Sequence, residues 1–541
     1  MKNPLNSAFF ALILSITFSN LLISDEPTES EVLEEVVVVG IKASLKDAIA
    51  IKRSNVGVVE AITAEDFGKF PDGNLAESLA RVVGVGIDRS NVEGERVAVR
   101  GFGPEFNLVT LNGRQMPTVP GQYEGGRSFN FGDIASPGVS AVEVYKSTNS
   151  SLPSGGIGST INMVTTKPLQ ITGTKKSFSF NFVEDTTSAE DLGASWRRPI
   201  ETSFLYATNQ GRMGFSFSGS YQDRDNREEG TRESNWLVPE DMALIEGYDR
   251  VSSSQAGVTN NNGRADGKTF YQEPSAYQIK DNKRLRKNAQ ATFQYEVNEN
   301  IVTTLDYTYS GVDFQSEGTM FGSWLGGWDT QQATINSNGV YTDLVVGNRS
   351  YDHQLIWGAT KNLNNSIGLN IDWQLNDDLR VSFDYHDSSS VKVGSELPNE
   401  MGFTTDKKGI LTQTNAGTSG INTFAYDTAF NAADYYSTGI QLWDAKKEND
   451  IEQLQINGEW NLDLGMIKSV NFGISRIENV FADVRMGNAN GATSPSAAQY
   501  PDRIFTQTGL GSFMDSFSPN LGTDYYYPVS YTHLTLPTRA V

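Results

Sequence analysis

Ile367–Gly368–Leu369–Asn370–Ile371–Asp372–Trp373–Gln374–Leu375 carries an apolar side chain at every odd position and a small or polar residue at every even one. In an extended chain successive side chains point to opposite faces, so this segment reads as a strand with one apolar and one polar face. The same period recurs on both sides of it. Phe215, Phe217, Gly219 and Tyr221 alternate with Ser216, Ser218 and Ser220, and Leu305, Tyr307 and Tyr309 with Thr304, Asp306 and Thr308. Val381, Phe383 and Tyr385 alternate with Ser382, Asp384 and His386. Short turns (Asn209–Gln210–Gly211–Arg212, Asn298–Glu299–Asn300, Asn376–Asp377–Asp378) contrast with long polar stretches, Asp223–Lys280, Gln315–Asn362 and Leu397–Asp444. Short turns on one side and long loops on the other predict an antiparallel transmembrane β-barrel. A soluble β-protein also has alternating strands; the aromatic density of the apolar face and the loop asymmetry favour the membrane.

Composition agrees. The 541 residues hold 43 Lys+Arg against 65 Asp+Glu, a net charge of −22, which disfavours nucleic acid as a partner because phosphate neutralisation needs clustered cations. There is no Cys, which removes thiol catalysis, zinc–thiolate sites and disulfides. His353, His386 and His533 are isolated in sequence and lack metal-ligand spacing, so neither a metal nor a cofactor is expected. No nucleophile–base set stands out, and the chain is not expected to be an enzyme.

The amino terminus reads as an export signal. Lys2 precedes an apolar run from Ala8 to Leu14, extended through Leu21–Leu22–Ile23, with acidic residues from Asp25 onward and removal expected near Ser24. The alternative, a retained anchor helix, is opposed by Ser15, Thr17 and Asn20, which interrupt the run. An acidic leader follows, then Glu34–Glu35–Val36–Val37–Val38–Val39–Gly40. Four β-branched residues favour an extended backbone that adds as an edge strand to another protein's sheet, or forms a private strand of this chain.

Residues 47–168 read as one α/β module. Asn74 caps a short helix over Leu75–Arg81, with Glu77 placed to close a capping box. Strands are expected at Gly86–Ser90, Arg96–Arg100, Leu108–Leu111 and Val139–Lys146, with turns at Gly101–Phe102–Gly103–Pro104 and Asn112–Gly113–Arg114. Gly155–Gly156–Ile157–Gly158–Ser159–Thr160 is not a phosphate loop: a strand-like segment follows it and no Lys is adjacent. Its glycines are expected to permit positive φ and close backbone approach.

Four ordered motifs in this module carry a resemblance. Val99–Arg100–Gly101–Phe102–Gly103, Leu111–Asn112–Gly113–Arg114, Val142–Glu143–Val144–Tyr145–Lys146 and Gly155–Gly156–Ile157–Gly158–Ser159–Thr160–Ile161–Asn162 resemble the plug domain of TonB-dependent outer-membrane receptors. The resemblance covers roughly residues 34–168, and the wording Arg100–Gly101–Phe102–Gly103–Pro104–Glu105–Phe106 is similar to the branch linked with oligosaccharide uptake. It implies an α+β plug domain inside an antiparallel transmembrane β-barrel, in the outer membrane of a Gram-negative bacterium. It also implies a TonB box at Glu35, Val36, Val37, Val38 and Val39, gripped by TonB and its inner-membrane energy-transducing complex. The implied organisation is a signal peptide (1–24), a periplasmic leader (25–46), the plug (47–168), the N-terminal part of the barrel (169–528) and a non-native tail (529–541). Barrels of this family close with about 22 strands; the residues after Pro168 supply about half of that. Val529–Ser530–Tyr531–Thr532–His533–Leu534–Thr535–Leu536–Pro537 looks like translated adapter sequence, so the chain is expected to be a fragment.

The implied function is energised uptake of a scarce nutrient, an oligosaccharide, with ferric-siderophore or cobalamin uptake and a passive porin as the alternatives. The plug motif positions are Arg100, Gly101, Asn112, Gly113, Glu143, Gly155, Gly156 and Gly158. Arg100 and Glu143 are expected either to pair with the barrel or to form exposed salt bridges on the plug. Arg114 and Gln115 follow the Asn112–Gly113 turn, where family receptors place a ligand-facing apex. Phe321, Trp324 and Trp328 lie in a Gly-rich stretch and offer flat faces for sugar rings, with Trp236 and Tyr123 as further candidates; an aromatic membrane girdle explains the same rings.

Overall fold

A computed structural model describes residues 48–53, 55, 57–63, 74–90, 93–119, 127–134, 138–187, 199–238, 256–323, 330–395, 399–415, 422–464, 467–487, 508–510 and 525–526. The leader with Glu35–Val39 lies outside them, as do Tyr123, Trp324 and Trp328.

The N-terminal module contains β1 (Val59–Thr63), helix α1 (Leu75–Leu79), β2 (Val85–Ser90), β3 (Glu93–Val99), β4 (Asn107–Leu111), β5 (Arg114–Gln115), β6 (Val139–Tyr145) and β7 (Ser159–Thr165). One sheet runs in the order β1-β6-β7-β4-β5, with β4 parallel to β7, and β2–β3 form a separate hairpin. The apolar positions of these strands and of α1, including Leu75, Leu79, Val97, Val109, Val142 and Ile161, close into one core. As expected, Asn74 caps α1 by accepting the Glu77 amide at 3.2 Å. The Glu77 carboxylate reaches across to the Gly94 amide and to Arg89, tying the helix to the β2–β3 hairpin. Both loops are two-residue turns with positive φ: Asn112–Gly113 at 55° and 82°, as predicted, and Arg100–Gly101 at 53° and 81°, which begins one residue before the predicted Gly101–Pro104 turn because β3 ends at Val99. Gly and Asn adopt such values at low cost, and the Asn112–Gly113 loop sets Leu111 opposite Arg114 in register.

The second unit is a long antiparallel sheet ordered β8-β9-β10-β12-β13-β16-β17-β22-β23. Its strands are β8 (Thr174–Phe182), β9 (Ile200–Asn209), β10 (Met213–Leu237), β12 (Tyr271–Asn298), β13 (Ile301–Ser323), β16 (Asp352–Gln374), β17 (Leu379–Gly394), β22 (Trp443–Leu464) and β23 (Ile467–Gly487). The predicted short turns join β9 to β10, β12 to β13 and β16 to β17. The sheet is inverted relative to a water-soluble protein. Phe215, Leu305, Ile367 and Phe383 are 40–47% exposed, while Ser216, Asp306, Ser366 and Asp384 on the opposite face are at most 8% exposed. Apolar side chains outward and polar ones inward around a folded insert define a transmembrane-type barrel wall. Among the described residues the sheet is open, with β8 and β23 at its edges. No described helix is long and apolar enough to cross a membrane, which says nothing of strands.

The expected long loops are largely strand. Residues 223–237, 271–280, 315–323 and 352–362 extend β10, β12, β13 and β16. Inserted strands β11 (Val258–Asn260), β14 (Thr330–Ile335), β15 (Tyr341–Arg349), β19 (Gly409–Asn415) and β20 (Asn422–Tyr426) form a further sheet, while β18 (Asn399–Thr405) pairs with β16 and with β21 (Tyr435–Gln441). These stretches read as loops because they are rich in polar residues and interrupted by turns. Their extended conformation is secured by ladder hydrogen bonds to neighbouring strands, together with a second aromatic core. That core brings Tyr277 and Phe321 against Ile335, Leu344 and Phe424, with the Tyr277 and Phe424 rings stacked at 4.5 Å. Phe321, expected as an exposed sugar platform, is instead buried in it.

Candidate functional site

The Asn112–Gly113 turn delivers Arg114 to the inner face of the wall. Arg114 Nη1 donates to both oxygens of Asp306 at 2.7–2.8 Å, while Nε and Nη2 donate to Asp384 at 2.7 and 2.9 Å. Asp306 lies on β13 and Asp384 on β17, and β16 runs between them with Gly368 directly opposite Asp306. The guanidinium fork is thus bidentate to two carboxylates, and Arg114 is 2% exposed. Burial works against its charged form. The hydrogen bonds and charges of Asp384 and Asp306 outweigh that and hold its pKa above the ordinary value. Next to it the Gln115 amide donates to Gln453 Oε1 on β22 at 2.9 Å.

A second station has the opposite polarity. Glu93 and Glu95 of β3 meet Arg284 and Arg286 of β12: Arg286 Nη2 lies 3.0 Å from Glu93 Oε2, and Arg284 Nη2 lies 3.4 Å from Glu95 Oε1. Arg284 also contacts Glu93 directly, and Arg286 Nη1 donates to Gln222 Oε1 at 2.5 Å.

Asp133 forms a third contact. Its carboxylate accepts from Asn362 on β16, and its backbone carbonyl accepts from Ser310 on β13. Burial pushes the Asp133 carboxyl up to about 6, against the opposing pull of Lys392, Arg286 and Arg96. A raised carboxyl binds its proton more tightly in the seated state than when released. Seating is therefore strongest below the ordinary carboxylate range and weakens as pH rises through about 6. Asp133→Asn, a mimic of the protonated acid, is expected to abolish that dependence between pH 4 and 7 and to tighten seating at neutral pH. Hydrogen exchange of the β4 amides across this range reads the effect; an unchanged pH profile in the variant refutes it.

The module seated by these three stations has a match among known families. Residues 51–160 match the TonB-dependent Receptor Plug Domain. No curated protein matches the chain in sequence. Solved structures similar to it include the siderophore receptor PirA from Acinetobacter baumannii, at 11% identity and TM-score 0.28 over 81% of this chain and 78% of that one. The ferric enterobactin receptor PfeA of Pseudomonas aeruginosa gives 12%, 0.32, 80% and 72%, and the outer membrane transporter YddB of Escherichia coli gives 9%, 0.32, 75% and 67%. At such values the likeness says nothing about ligand.

The structure redistributes the expected site residues. Arg114, expected at a ligand-facing apex, is held by the wall carboxylates, and Gln115 is tied to Gln453. Arg100 and Glu143 do not carry the contact to the wall. Arg100 Nη2 donates to the Gly158 carbonyl at 3.3 Å, and Glu143 accepts from Tyr145 and Asn162, all within the plug. Burial and the Glu143 carboxylate push the Tyr145 phenol up. The Gly155 carbonyl accepts from Arg127 at 2.6 Å, and a Cβ at Gly156 would lie 2.5 Å from the Ser159 carbonyl oxygen, so this segment is a tight plug turn. Trp236 lies on β10, with its side chain outside the described residues. The residues missed by sequence reading are Glu93, Glu95, Asp133, Arg284, Arg286, Asp306, Gly368 and Asp384. Asp306 and Asp384 left one signal, an acid among Ser and Thr on the inward face of a strand.

Proposed function

We propose that the chain is a TonB-dependent transporter of the outer membrane of a Gram-negative bacterium, importing an oligosaccharide by energised displacement of its plug. The observation that supports gating is the seat itself. A folded insert held inside an inverted sheet by buried but few ionic contacts is closed at rest and separable under load. Glu35–Val39 serves as the segment that TonB grips by strand addition. The oligosaccharide assignment rests on the wording of the plug around Arg100–Phe106 and on Trp324 and Trp328 as ring platforms.

Deleting Val36–Val39 tests the reading. Cells expressing the variant are expected to bind fluorescently labelled oligosaccharides from a mixed pool as the parent does and to lose their uptake. Normal uptake by the deletion variant refutes energised gating. Parent cells that bind ferric chelates and no oligosaccharide in the pool refute the substrate class while leaving the gate intact.

A further inference from the structure

We propose that Gly368 is a positioning residue of the wall, a notch whose missing side chain admits the Arg114 guanidinium between Asp306 and Asp384. Gly368 is inward-facing on β16, paired in register with Asp306 on one side and His386 on the other. An ideal Cβ at this position would stand 1.6 Å from Arg114 Nη1, 2.3 Å from its Cζ and 2.8 Å from its Nη2. Such a clash with the end of a flexible side chain is ordinarily relieved by swinging the chain aside. Here the guanidinium is fixed by hydrogen bonds to two acids on strands either side of the notch. Any displacement large enough to clear a methyl group strips at least one buried carboxylate of its partner. Gly368 has φ outside the left-handed region, so its backbone does not require glycine, and the guanidinium is what keeps the position bare. Gly358 on the same strand provides the contrast: a Cβ there approaches nothing nearer than Ser395 Oγ at 3.4 Å.

The test is a double-mutant cycle in the full chain, read by hydrogen exchange of the Gln115 amide, whose partner is Gln453 of the wall. Gly368→Ala is expected to accelerate exchange about tenfold or more, and Gly358→Ala to leave it unchanged. Arg114→Ala is expected to accelerate it similarly, and adding Gly368→Ala to that variant to do nothing further, because the space is then vacant. A glycine needed only for strand geometry gives the same acceleration in both backgrounds, and that result overturns the proposal. So does unchanged exchange in Gly368→Ala. If Gly368→Ala fails to assemble, assembly of the Arg114→Ala, Gly368→Ala double variant supports the proposal, and its failure refutes it.

Discussion

Replacing Arg114 with Ala is expected to cost the seated plug about 3–5 kcal/mol, because Asp306 and Asp384 are left buried in the wall with no cation between them. The size follows from asymmetry. Forming a buried ion pair gains little net energy after desolvation, yet removing one member strands the other. Two carboxylates stranded near each other also repel. Native-state hydrogen exchange of the β4 and β7 amides measures the loss. Arg114→Lys is expected to fall between, since an ammonium keeps the charge and cannot bridge both acids with a planar fork. A loss under about 1 kcal/mol in Arg114→Ala would show that the contact is decorative.

The second large effect concerns lipid. Ile367 lies midway along the outward face of β16, between Trp373 and Lys361, and is 47% exposed. Ile367→Arg is expected to destabilise the folded wall by about 2–4 kcal/mol, the cost of an arginine near the bilayer midplane. Ala359→Arg, on the same face eight residues away and beyond Lys361, is expected to cost about 0–1 kcal/mol. Unfolding titrations in lipid vesicles compare the two. Equal effects would mean that the apolar belt does not meet hydrocarbon.

Much of the fold was legible in the residues, and the reason is local. Period-two alternation fixed β13, β16 and β17, and the Asn112–Gly113 dipeptide fixed the β4–β5 hairpin, because turn chemistry and pleat act over a few residues. The extension of β10 over residues 223–237 was illegible because both of its faces carry polar residues, so no period survives. The seat was illegible for another reason. Arg114 meets acids 192 and 270 positions away, and only the strand register of the wall brings Asp306, Gly368 and Asp384 together. The turn marked Arg114 in the sequence, while its acidic partners on the wall left no local trace beside it. Arg100 and Glu143, equally marked by motif, bond within the plug, Arg100 to a turn carbonyl and Glu143 to the neighbouring strand.

The opposite polarity of the two ionic stations has a consequence for assembly. The insert offers a base where the wall offers acids, and acids where the wall offers bases. A displaced docking that set Arg114 against Arg284 and Arg286, or Glu93 against Asp306, would bring like charges together. Like charges forced together in a dry interface cost several kcal/mol. The alternation of sign therefore penalises those mispairings as well as holding the native contacts.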